Sequence, residues 1–80
     1  MIVKVTTSTQ NSYIGIIDYF NEENDSLYMK RVGLVRSNIE WFPDASFSEE
    51  MIRAVCDPTP AEMVKYLNND RDLIQNESVH

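Results

Sequence analysis

The sequence predicts an α+β fold, a small antiparallel sheet of three to four strands followed by two helices packed on one face. Three observations carry that prediction. Apolar and polar residues alternate in the first half of the chain; a polar run of hairpin length interrupts them; and beyond Pro43 the apolar spacing lengthens from two towards four, with helix-start signals at Ser48 and Thr59. At 80 residues there is material for one domain, expected over 1–75 with a frayed tail over 76–80. A chain of this size buries about 60% of the surface its unfolded form exposes, which leaves no room for a second lobe or an interdomain cleft.

The first strand is read from Val3, Val5 and Thr7 alternating with Lys4 and Thr6, and the run Ser8-Thr9-Gln10-Asn11-Ser12 is a turn by composition. From Tyr13 to Phe20 both parities are apolar. Ile14, Ile16 and Phe20 fall on one side, with Tyr13, Ile17 and Tyr19 on the other, so this is the expected central strand. The segment from Asn21 to Ser26 forms a hairpin loop. Leu27 and Met29 then share one parity while Val32 and Leu34 take the other, a phase slip that predicts a β-bulge near Lys30-Arg31, with Gly33 easing the bend. Ser37-Asn38 ends that strand, and Ile39-Glu40-Trp41-Phe42 offers a short fourth one before Pro43.

In the second half, Met51, Ile52 and Val55 have the spacing of a short helix, with Ser48 as N-cap, Glu49 and Glu50 favouring its dipole, and Phe47 stapled onto Ile52. Cys56 on that helix is expected to be a small buried apolar residue, and Asp57-Pro58 closes the element. Thr59-Pro60-Ala61-Glu62 starts the second helix with a hydroxyl cap, proline at the first position and a glutamate completing a capping box. Its inward stripe is expected to be Met63, Val64 and Leu67, and it ends at Asn68-Asn69 or runs on through Leu73-Ile74.

Thirteen Asp/Glu against seven Lys/Arg give a net charge of −6, which opposes phosphate backbones and makes nucleic acid an unfavoured partner. The same charge suits a basic protein partner, or plain solubility. Cys56 is the sole cysteine, so there is neither an intrachain disulfide nor a cysteine cluster for zinc, and a cytoplasmic location is expected. The first residues have no basic, apolar leader pattern, and no stretch has the length of a spanning helix. A catalytic role is not expected: the single histidine is His80 at the last position, and Gly15 and Gly33 cannot build a phosphate-cradling loop. No cofactor or metal is expected either. Glu22, Glu23 and Asp25 carry oxygen ligands, but their spacing is not that of a calcium loop and reads as a solvated acidic turn.

These exclusions favour a small acidic, non-catalytic protein-binding module, a regulator or inhibitor of the phage type that occupies a surface of a larger, basic partner. Its interaction candidates are Glu22, Glu23 and Asp25 at the hairpin tip together with Glu40 and Phe42, the last expected to face away from a Trp41 that lids the core. One alternative is a single-stranded nucleic-acid binder stacking bases on Tyr13, Tyr19 and Tyr28 beside Lys30 and Arg31. Another is a small-molecule binder in a sheet–helix crevice.

Overall fold

The computed structural model describes residues 1–68. The tail over 76–80, the extension through Leu73-Ile74 and His80 lie outside them. Five strands, β1 (Ile2–Thr7), β2 (Ser12–Asn21), β3 (Ser26–Leu34), β4 (Glu40–Ser48) and β5 (Ile52–Cys56), form one sheet in the order β4-β3-β2-β1-β5. Every pairing is antiparallel, and β2 is the central strand. A 3-10 turn (Glu49–Met51) joins β4 to β5, and a helix, α1, covers 60–68. The class is α+β, but the expected sheet of three to four strands with two helices is replaced by five strands and, among the described residues, one helix.

The connection between β4 and β5 dictates the shape of the sheet. These strands lie at opposite edges, yet only Glu49–Met51 separates them. Five strands laid flat would hold their edges roughly 19 Å apart, whereas the four steps from Ser48 to Ile52 reach at most about 14 Å when fully extended. The sheet therefore curls until its edges approach. Its inner face closes on itself: Val3, Val5, Leu27, Met29, Val32 and Phe47 are buried there, with Tyr13, Ile17, Ala45 and Ile52 packed against them. All five strands contribute to this cluster and, among the described residues, α1 contributes none, so the curl of the sheet is what brings these side chains together.

Bulges supply the bend. The β2–β3 register steps past Arg31, which takes left-handed backbone angles (φ 51°), and steps again at Asp18. The first step is the expected slip, and it brings Val32 onto the inner face with Leu27 and Met29. The left-handed residue is Arg31, however, and Gly33 serves another purpose. A Cβ on Gly33 would lie 2.6 Å from Ile39 Cγ2 and 3.6 Å from the Trp41 ring, so the missing side chain makes room for both on the outer face. Strand β4 extends well past the expected end at Phe42 and runs through Pro43. As an edge strand paired only with β3, it tolerates a residue without an N–H.

The expected first helix is overturned. Ser48 makes no side-chain cap bond, Glu49–Met51 is one 3-10 turn, and Ile52–Cys56 pairs with β1. The misleading spacing has a physical source. Ile52 sits opposite Thr7 and Val55 opposite Val5, so a bulge at the intervening Arg53 brings two residues three apart onto one strand face, imitating a helical stripe. Cys56 on this edge strand is exposed, not buried.

The helix start at Thr59 is present in full. Glu62 N–H donates to Thr59 Oγ1 (3.2 Å) and Thr59 N–H donates to Glu62 Oε1 (2.9 Å), the reciprocal bonds of a capping box. Its docking face is not the expected stripe, since Val64 and Leu67 are exposed. Tyr66 is the buried member, packing with Ile14 and Ile39 on the outer face, 5.2 Å from the Trp41 ring, and its Oη donates to the Arg31 carbonyl (2.7 Å). Lys4 Nζ on β1 pairs with the Glu62 carboxylate at 3.1 Å, and Lys65 Nζ donates to the carbonyls of Arg36 and Ser37. The helix thus closes over the β3 bulge.

Two stability measurements check this account. Thr59→Ala is expected to cost about 1 kcal/mol in thermal unfolding, while Ser48→Ala stays within about 0.5 kcal/mol of the parent; equal losses would refute the cap assignment. Gly33→Ala is expected to cost about 1–3 kcal/mol in denaturant titration, with part of the loss recovered when combined with Ile39→Ala, because the clashing methyl is then gone.

Candidate functional site

Two connectors build an acidic end on the curled sheet. The β2–β3 hairpin presents Glu22, Glu23 and Asp25, all exposed, and its shape is fixed locally: Glu23 N–H donates to Asn21 Oδ1 (2.9 Å), Ser26 Oγ to the Asn24 carbonyl (3.2 Å), and Asp25 is left-handed (φ 49°). The 3-10 turn comes alongside, with Glu49 N–H donating to the Asp25 carbonyl at 2.8 Å. Asn24, Asp25, Ser48, Glu49 and Glu50 line a shallow depression of about 560 Å³. Glu49 and Glu50 were not among the sequence candidates, because they read as the first turn of a helix. Among the described residues no group of three or more metal-ligating side chains converges.

Glu40 and Phe42 do not join this end. β4 enters opposite Leu34 at Glu40 and leaves opposite Ser26 at Ser48, so the six steps from Phe42 to Ser48 put roughly 20 Å of strand between Phe42 and the hairpin. Phe42 is 38% exposed, opposite Val32. Trp41 is half-buried on the other face against Tyr66. The expected single surface of acidic tip and Phe42 is therefore two separate places.

The five residues of the nucleic-acid alternative are also divided. Tyr13 and Tyr19 share parity in the sequence, but the extra residue at Asp18 reverses it. Tyr13 turns inward, opposite Val5 and 4.9 Å from the Phe47 ring, while Tyr19 lies opposite Tyr28 on the outer face, the two rings parallel within 5° at 4.7 Å. Lys30 follows Tyr28 on that face, directly across from Asp44 on β4. Arg31 is the bulge residue whose carbonyl receives the Tyr66 hydroxyl. Asp18, Tyr19, Tyr28, Met29, Asp44, Ala45 and Ser46 line a second depression of about 300 Å³, so the tyrosines are flanked by carboxylates and no base-stacking row with a basic rim forms. The sheet–helix crevice of the small-molecule alternative is filled by Tyr66, Ile14 and Ile39.

Among the described residues no helix is long and apolar enough to cross a membrane. Neither a family model nor a curated protein sequence matches the chain. Among solved structures it is similar in fold to a chain in the crystal structure of the NatC complex bound to CoA, with a TM-score of 0.63 over 74% of this chain and 77% of that one, at 12% sequence identity. At that identity the likeness concerns the fold alone.

One carboxylate departs from its ordinary behaviour. The N–H of Thr59 holds the Glu62 carboxyl below its usual value, helped by the Lys4 ammonium and the Thr59 hydroxyl, and burial opposes them. A carboxylate lowered on folding contributes stability above its unfolded pKa and loses it as pH falls through the folded value. Between about pH 7 and about pH 3 the thermal midpoint should therefore fall less steeply in Glu62→Gln than in the parent; parallel curves would remove Glu62 from the acid response.

Proposed function

We propose that this chain is a small non-catalytic protein-binding module that uses its acidic end to occupy a basic surface on a larger partner, in the manner of a phage-type regulator or inhibitor. The observation that carries the reading is that the hairpin bearing Glu22, Glu23 and Asp25 lies beside the 3-10 turn bearing Glu49 and Glu50, which puts five exposed carboxylates, free of core packing, on two adjoining connectors. Concentrating negative charges this way steers encounter with a positive surface. The similar chain in the NatC complex comes from a multi-protein assembly, a context compatible with a protein partner. The nucleic-acid reading has no comparable support, since Asp18 and Asp44 flank the outward tyrosines.

Capture from host lysate followed by mass spectrometry, run in parallel with parent and a Glu22→Lys/Glu23→Lys/Glu49→Lys/Glu50→Lys variant, tests the proposal. A protein retained by the parent and lost by the folded variant is the expected result. With that partner in hand, charge reversal should slow association at least about threefold and more so at low salt, leaving dissociation nearly unchanged. Identical capture and identical kinetics would discard the acidic end as the interface.

A further inference from the structure

The depression around Tyr19 and Tyr28 is unlike the acidic end, because it combines a flat aromatic surface with carboxylates on both sides. The tyrosines come from neighbouring strands, parallel within 5° at a centroid distance of 4.7 Å. Tyr28 is steadied at its far end, where Asn24 Nδ2 donates to its Oη (3.2 Å). Tyr19 is 50% exposed, much more than an aromatic serving only the core. Asp18 rises from β2, at the bulge that turned Tyr19 outward, and Asp44 from β4, so the acids flank the strand carrying Tyr28. Met29 and Ala45 are also among the lining residues of this depression of about 300 Å³. Lys30 lies across from Asp44, but the two side chains do not form an ion pair.

From this arrangement we infer that the Tyr19–Tyr28 stack with Asp18 and Asp44 is a binding site for an arginine side chain of a protein partner. A cation is attracted to the face of an aromatic ring within about 6 Å of its centre, and nearby carboxylates add to that attraction. Arginine fits better than lysine because its planar guanidinium lies flat on a tyrosine while its edge N–H groups donate to carboxylates, whereas an ammonium is a compact, strongly hydrated point charge. The site rests on the protein-binding reading above and gives it a second, more selective contact: the acidic end attracts any positive surface, and this depression distinguishes arginine within it.

The test is amide chemical-shift titration of the 15N-labelled chain with N-acetyl-arginine methylamide, alongside its lysine and citrulline counterparts. Saturable shifts at Asp18, Tyr19, Tyr28 and Ala45 are expected for arginine, with the lysine compound at least about threefold weaker and the neutral citrulline compound silent. Asp18→Asn/Asp44→Asn, and separately the single change Tyr19→Leu at a half-exposed position, should each weaken binding about tenfold while the rest of the spectrum stays that of the folded chain. Absence of saturable shifts overturns the site. So does an equal response to lysine that Tyr19→Leu leaves unchanged, which would reduce it to generic charge attraction. Failure here with partner capture still dependent on Glu49 and Glu50 would sink the arginine site alone; failure of capture with these shifts intact would sink the acidic-end reading alone.

Discussion

Three residues between Ser48 and Ile52 impose the geometry on which the rest of the molecule depends. A connection that short between opposite edges forbids a flat sheet, and a curled one must shorten its inner face relative to its outer face. The bulges at Asp18, Arg31 and Arg53 are where the extra outer length is taken up. Once curled, the sheet packs Val3, Val5, Met29 and Val32 against one another, and α1 has a different task, sealing the outer face over Ile14 and Ile39. The helix and the bulge are chemically joined, because the Tyr66 hydroxyl donates to the carbonyl of the bulged Arg31.

The surfaces with chemical character are products of the same constraint. The acidic end exists because the 3-10 turn, crossing from one edge to the other, passes beside the β2–β3 hairpin and hydrogen-bonds to Asp25. The aromatic depression exists because the bulge at Asp18 turns Tyr19 from the core to the outside and into register with Tyr28. Neither surface is a feature of one element: the first arises where two connectors meet, the second where a break in regular pairing redirects a side chain.

What could be read from the sequence follows from this distinction. Local chemistry was legible: the alternation of Val3 and Val5, the polar hairpin at 21–26, the slip after Lys30 and the capping box of Thr59 and Glu62 each involve residues a few positions apart. Two of the failures share one cause. A bulge changes side-chain parity without leaving a composition signal, so Ile52 and Val55 passed for a helical stripe and Tyr13 and Tyr19 for neighbours on one face. Asp18 between Ile17 and Tyr19 was the available hint, a charged residue inside an otherwise apolar run. The roles of Glu49 and Glu50 followed the helix reading and were misplaced with it, and Asp44 escaped notice because Pro43 argued against a strand that its edge position permits.

The β1–β5 ladder has a consequence for the order in which the chain can assemble. It pairs Lys4 with Cys56 and Thr7 with Ile52, the most distant strand partners among the described residues, while β2, β3 and β4 form a meander of near neighbours. Pairings between distant residues cost more loop-closure entropy and form later than local ones. As the polypeptide emerges from its N-terminus, β1 can find β2 at once, but its other edge has no partner until residue 56 has been made. Through that interval the inner face of Val3 and Val5 is only partly covered, so β5, the shortest of these five strands, completes the core although it is the last of the five to be synthesised.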